Sequence, residues 1–202
     1  MEGAVISLMI EGPYGASAQL PDFLLFDRVL LVAGGVGATF IVPIWRHIVN
    51  SRQRNHLQKD GDVRFVWAAK TLAETSWAFP FKQRESKRGL GMEGVEIHVT
   101  GQPGVNDGEE RNGEISFEMV ERDELTGEND KCNKGLLEQG IVVKYIRPDL
   151  YEVVNETFSG HAEKVAVLVC GPTRMGTQLR KHVGKWVRRG KDVYWHAETF
   201  GF

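Results

Sequence analysis

The stretch VLLVAGGVGATF, Val29 to Phe40, runs an apolar segment rich in Val and Leu into Gly34, Gly35 and Gly37, and then into residues that suit a helix. A strand that delivers the chain into a glycine turn lets backbone approach a ligand without side-chain interference. The helix that follows offers N–H groups and the positive end of its dipole to a diphosphate. The same residues also suit a tight strand-to-helix turn with nothing bound. The spacing leaves both readings open, because Gly35 and Gly37 give GxG while Phe40 stands where GxGxxG has its third glycine.

Working outward, further strand-like runs occur at Ala4 to Ile10, Val63 to Ala69, Val95 to Val99, Ile141 to Ile146 and Val165 to Cys170, with a short VYW at Val193 to Trp195. Most are continuously apolar and Val-rich, as in parallel strands covered on both faces. Helical patterns lie between them. Arg174 to Arg189 opens after Pro172, stops at Gly190 and places Met175, Leu179, Val183, Trp186 and Val187 on one face. Thr39 to Asn50 reads as a second helix, with Pro43 expected in or near its first turn, where backbone donors are unpaired anyway. This alternation predicts an α/β fold: a doubly wound, mostly parallel sheet of five to six strands flanked by helices.

One region breaks the pattern. Between Asn106 and Lys134 there are ten acidic residues against four basic ones, a net of −6 in a chain whose total is −2. Residues from about 101 to 138 are therefore expected to be an acidic, poorly ordered insertion, solvated at the surface. The near-neutral total gives no basic field for nucleic acid or an anionic membrane. The longest apolar run, Val29 to Pro43, is too short and too rich in glycine to span about 20 residues of bilayer, so no direct membrane insertion is expected. Met1 is followed by Glu2 and a strand-like segment, so no signal peptide is expected either. Cys132 and Cys170 lie far apart without CxxC spacing, which implies free thiols and a reducing compartment. The six histidines show no HxxxH or HxxE arrangement, so no metal is expected in this chain.

Three further features bear on a ligand. CGPTRM, Cys170 to Met175, is a second glycine-bearing turn at the end of a Val-rich strand and the start of a helix. Two such turns on one sheet edge are where doubly wound folds bind nucleotides. After the strand Val63 to Ala69, where dinucleotide folds place an acid for NAD or a base for the 2'-phosphate of NADP, the chain offers Lys70 and no acid before Glu74. Arg147, just before Pro148, is a second cation able to reach the same phosphate, although both cations also suit a solvated surface. Cys170 itself reads equally as a buried small residue or as a sulfur set against a reactive ring.

EGPYG (Glu11 to Gly15), VLLVAGGVGAT, FVWAAKTLAETSW (Phe65 to Trp77), YIRPDL (Tyr145 to Leu150), VCGP (Val169 to Pro172) and the terminal HAETFGF (His196 to Phe202) occur in that order. Together they resemble the NAD(P)H-binding C-terminal domain of the fungal ferric-chelate reductase and NADPH oxidase family, within the ferredoxin-NADP reductase-like superfamily. The resemblance covers the chain apart from the acidic insertion. It implies that residues 1–15 end an FAD-binding barrel absent from this chain and form the junction, and that residues 16–202 are the NAD(P)H-binding domain. It also implies a parent protein in which transmembrane helices carry haem, this domain lying on the cytosolic side. By itself the chain would be soluble and cytoplasmic.

The resemblance assigns roles by position. Gly34, Gly35, Val36, Gly37, Ala38 and Thr39 correspond to the pyrophosphate loop, with its backbone N–H groups and the Thr39 hydroxyl. Lys70 stands where arginine is usual and forms the 2'-phosphate clamp with Arg147. Cys170, Gly171 and Pro172, followed by Met175, correspond to the segment beside the nicotinamide. Phe202 corresponds to the aromatic that stacks over the flavin, with Glu198 in the nearby acidic position. Three departures are visible: Ile146 for glycine, Lys70 for arginine and a terminal Phe202 for tryptophan.

The implied function is hydride delivery from NADPH, or NADH, to FAD, followed by single-electron transfer through haem to ferric iron. The partners are then the FAD-binding and haem domains of the parent, without which this chain would be inactive. The alternatives are a superoxide-producing oxidase module, a nucleotide-binding fragment without catalysis of its own, and a truncated gene product.

Overall fold

A computed structural model describes residues 20–55, 62–79, 92, 94–101 and 140–199. The Ala4 to Ile10 strand, the EGPYG junction, nearly all of the acidic insertion with Cys132, and the terminal Phe202 lie outside the described residues.

Among the described residues six strands form one sheet: β1 (Arg28–Gly34), β2 (Val63–Ala69), β3 (Val95–Val99), β4 (Val142–Lys144), β5 (Lys164–Gly171) and β6 (Asp192–Thr199). Their order is β4-β3-β2-β1-β5-β6, and every pairing is parallel. Among the described residues three helices cover the sheet: α1 (Ala38–Arg54), α2 (Leu150–Phe158) and α3 (Thr173–Val187). The sheet is thus doubly wound, at the upper end of the expected strand count.

The Val-rich runs become strands because side chains from successive residues are buried on opposite faces. In β1, Val29, Leu31 and Ala33 join the apolar cluster under α1 with Ile41, Trp45 and Ile48. Leu30 and Val32 join the cluster on the other face with Val153, Phe158, Leu179 and Val183 from α2 and α3. The chain runs from β1 outward to β4 and then returns to the far side of β1 as β5. The reversal leaves the carboxyl ends of β1 and β5 side by side, the crevice in which sheets of this kind bind ligands.

Several sequence expectations shift. Helix α1 begins at Ala38 and runs 17 residues, so Pro43 lies inside it and not in its first turn. Pro43 is on the exposed side, where water can satisfy the carbonyl it leaves unpaired. Strand β4 keeps only Val142–Lys144 of the run expected to reach Ile146. The short VYW grows into the eight residues of β6. Val187, placed on the apolar face of its helix by periodicity, is half exposed. Helix α2 had no counterpart in the sequence reading. It is held by Asp149, whose carboxylate accepts from the N–H groups of Tyr151 and Glu152.

Candidate functional site

The three glycines of the β1–α1 turn do three different things. Gly35 has φ of +52°, a conformation that a side chain resists, and a Cβ there would meet nothing within 4 Å. Gly34 has no room for one: a Cβ would lie 2.7 Å from Pro172 Cδ, across the gap between the ends of β1 and β5. Gly37 is tighter still, because a Cβ would fall 2.0 Å from the Cys170 carbonyl oxygen. Gly34 and Gly37 therefore let the turn sit on the end of β5, and Gly35 shapes it. From β2, the Trp67 indole N–H donates to the Gly35 carbonyl at 3.1 Å and ties the turn to the neighbouring strand.

Above this turn lies a cleft of about 760 Å³. Gly34, Gly35 and Val36 line one side of it, Lys70 and Arg147 another, and Gly171, Pro172 and Met175 a third. Eight of the residues singled out from the sequence thus come together at the carboxyl edge of the sheet. Sequence reasoning did not foresee Ala68 and Thr100 from the ends of β2 and β3, Leu150 from α2, or Arg174 and Gln178 from the first turns of α3. Arg174 could have been suspected, since it stands directly in CGPTRM. No Asp or Glu is among the described residues that line the cleft. Glu74, the first acid after β2, turns its carboxylate to the Lys70 backbone N–H at 3.1 Å.

Other expected residues lie elsewhere. Gly37 and Ala38 are buried beneath the turn. The Thr39 hydroxyl, expected to face a phosphate, donates to the Val36 carbonyl at 2.8 Å and so spends its one proton within the turn. Cys170 is 0% exposed and belongs to the apolar cluster under α1. Of the two readings of its sulfur, the structure gives the buried one, on the face of the sheet away from the cleft-lining helices. Burial chiefly, and the nearby Glu198 charge secondarily, push the thiol up to about 11. Glu198 is the register partner of Cys170 on β6. Its carboxylate is 3.0 Å from His196 Nε2, and the His196 ring stacks on Phe40 of α1 at a centroid distance of 5.8 Å. Cys170 and Glu198 therefore form a second locus beside the α1 face, separate from the cleft.

A polar network lies toward the amino ends of β2 and β3, away from the cleft. Arg64 bonds Glu96 and Glu156, each at 2.6 Å, and Lys144 reaches Glu96 at 2.7 Å. Burial alone would raise the Glu96 carboxyl, but His98, Lys144 and Arg64 outweigh it and hold the group down to about 2. Among the described residues no three His, Cys, Asp or Glu gather as metal ligands, and no helix is long and apolar enough to cross a membrane.

Comparison with known proteins identifies the family. Residues 26–184 match the family described as "Ferric reductase NAD binding domain". The chain is 25% identical over 206 residues to a superoxide-generating NADPH oxidase heavy chain of Dictyostelium discoideum, a match covering 96% of this chain and 26% of the relative. It is 23% identical over 197 residues to the ferric/cupric reductase transmembrane component 2 of Schizosaccharomyces pombe, covering 95% of this chain and 29% of the relative. The chain spans a quarter to a third of the length of these curated relatives. Among solved structures, a flavohemoglobin from Malassezia yamatoensis with bound FAD and heme aligns with TM-score 0.41 and 15% identity, over 94% of this chain and 35% of the other. The family match covers well over half of the chain and includes the glycine turn, Lys70, Arg147 and the β5 end, so this protein belongs to the ferric reductase NAD-binding domain family.

Proposed function

We propose that this chain is the nucleotide-binding part of an NADPH-dependent ferric-chelate reductase, with residues 16–202 forming that domain and residues 1–15 the end of a flavin barrel and the junction. The observation that carries the reading is the cleft itself: Lys70 and Arg147, from separate connecting segments, line it together with the glycine turn, and no acid lines it among the described residues. An acid after β2 would accept hydrogen bonds from the ribose hydroxyls of NADH and repel a 2'-phosphate, whereas two cations attract that phosphate.

In this reading the backbone of Gly34, Gly35 and Val36 holds the pyrophosphate, and Lys70 and Arg147 clamp the 2'-phosphate. The nicotinamide end passes along the wall made by Gly34, Gly171, Pro172 and Met175. It then approaches the Cys170 and Glu198 locus at the ends of β5 and β6. Cys170 contributes shape there and no proton transfer, since a thiol pushed up to about 11 stays protonated at neutral pH. The C4–H bond of NADPH breaks, its hydride leaves with both electrons, and NADP+ remains. FAD, which a neighbouring barrel would hold, would supply hydride uptake and single-electron release. The contacts expected for it, Phe202 and the EGPYG edge, lie outside the described residues. The parent protein then carries electrons through haem to ferric iron, with this domain on the cytosolic side of the membrane. Without the flavin domain the chain binds nucleotide but does not reduce an acceptor.

Isothermal titration of the purified chain tests this reading. NADPH is expected to bind at least tenfold more tightly than NADH, about the effect of one charge-assisted hydrogen bond to a phosphate. A folded chain that binds neither nucleotide, or both equally, would overturn it.

The similarity to a superoxide-generating oxidase favours a second reading, in which oxygen is the acceptor. The two readings share every contact in the cleft. They separate when the full-length parent, supplied with NADPH, is offered ferric chelate and oxygen in turn.

A further inference from the structure

Arg147 sits on a short piece of chain, residues 145–149, that belongs to neither β4 nor α2. A phosphate clamp works only if its cation is held where the phosphate will be, because ordering a loose loop on binding costs affinity. The structure shows what holds the backbone on each side of Arg147. On the helix side, the Asp149 carboxylate caps α2. On the strand side, His98 Nδ1 lies 2.9 Å from the Ile146 carbonyl oxygen.

A carbonyl oxygen can only accept, so Nδ1 carries the proton and donates it. His98 is 3% exposed and occupies β3 opposite Ala68 of β2, which lines the cleft, and Lys144 of β4. Its other nitrogen, Nε2, is buried without a hydrogen-bond partner and lies 3.8 Å from Glu96. A polar ring buried this deeply, with one nitrogen held on a loop carbonyl and the other facing the Glu96 carboxylate, is poorly explained as core packing. An apolar side chain would fill the same volume without that cost.

We infer that His98 is a positioning residue for nucleotide selectivity: its Nδ1–H ties the Ile146–Arg147 peptide to β3 and so fixes the Arg147 guanidinium for the 2'-phosphate. The inference rests on the nucleotide reading of the cleft. His98 need not touch the nucleotide; it acts through the backbone it holds. Only ligands that carry a 2'-phosphate should register its loss.

The test compares NADPH, NADH and adenosine 2',5'-bisphosphate by isothermal titration on the full 202-residue chain and on three variants. His98→Leu fills the site without a donor. His98→Asn places an amide N–H near the position of Nδ1. His98→Gln places its amide nearer the position of Nε2. Loss of one ordinary hydrogen bond predicts about a tenfold weaker binding of NADPH and of the bisphosphate to His98→Leu, with NADH within about twofold of wild type. His98→Asn should recover most of the loss and His98→Gln should not. If His98→Leu fails to fold, the contrast between Asn and Gln carries the same test.

Equal weakening of NADPH and NADH would reduce His98 to a structural role and overturn the inference. Unchanged discrimination in His98→Leu, or equal behaviour of Asn and Gln, would also overturn it while leaving the cleft assignment standing. A wild-type chain that does not discriminate would overturn the cleft assignment itself.

Discussion

Gly37 lies against the backbone of Cys170 so closely that a Cβ on it would fall 2.0 Å from the Cys170 carbonyl oxygen. This contact joins the glycine turn after β1 to the end of β5, and so seats one wall of the cleft on the other. Backbone cannot yield as a flexible side chain can, so even alanine forces the strand ends apart. Gly37→Ala is expected to destabilise the chain by about 3 kcal/mol, in the range of overpacked sites, and to weaken nucleotide binding with it. Gly35→Ala meets open space and is charged only for its positive φ, about 1 kcal/mol. Urea denaturation of the two variants checks the order, and equal losses would contradict it.

In the proposed reading, nucleotide choice depends on Lys70 and Arg147, which line the cleft together. Each changed singly to alanine should weaken NADPH about tenfold while leaving NADH nearly unaffected, because both cations are exposed and their charge is partly screened. Lys70→Arg should keep or improve NADPH affinity, since a guanidinium can grip phosphate with two parallel bonds. Titration at low and high salt checks the electrostatic origin, and an effect of equal size at both would argue against it.

Much of this was legible before any coordinates. The Val29–Phe40 stretch, the Val-rich strands and the CGPTRM turn announce themselves because strands buried on both faces read as continuous apolar runs and glycines mark where they end. Helix α2 was missed although its start is written in the sequence, with Asp149 as cap and Glu152 in the first turn. Only nine residues follow, too few for periodicity to stand out. Strand β6 was read short because it lies at the edge, half buried and mixed in polarity. The purpose of Gly37 was not legible at all, since it depends on a carbonyl supplied by β5. The side of Cys170 was hidden for a related reason. Its parity with Ala166 and Leu168, which pack under α1, becomes informative only once the faces of the sheet are known.

The indole of Trp67 gives a separate handle on the turn. Trp67→Phe keeps most of the stacking on Phe65 but removes the bond to the Gly35 carbonyl. About 1 to 2 kcal/mol of stability should be lost, combining the missing bond with a small cavity. NADPH affinity should fall as the turn loosens, and a variant that loses stability yet binds as wild type would show that the tie is irrelevant to the cleft.

Glu96 predicts a pH dependence with a definite sign. Its carboxyl is held down from an ordinary value of 4.5 to about 2, so its contribution is fully present above pH 4.5 and is lost as the pH falls toward 2. A shift of this size corresponds to about 3 kcal/mol. The stability difference between wild type and Glu96→Gln should therefore be near its maximum at pH 6 and should shrink steadily below pH 4.5. A difference that stays constant across that range would remove the network from the account.

The Cys170 thiol should be inert in the folded chain. Pushed from 9.0 up to about 11, it supplies about a hundredfold less thiolate than an ordinary cysteine at pH 7.5, and burial blocks the reagent as well. Peptide mapping after iodoacetamide treatment should find Cys170 unmodified until denaturant is added. Rapid alkylation of the native chain would contradict the buried, protonated thiol.

The most direct measurement is an amide NMR titration of the chain with NADPH, which reports where the nucleotide lies without needing the flavin domain. The largest shift changes should fall on Gly34, Gly35, Val36, Lys70, Arg147, Gly171 and Met175, the residues of one cleft drawn from separate segments of chain. Changes concentrated elsewhere, such as the groove beside His47 and Ile48 of α1, or no changes at saturating NADPH, would contradict the account.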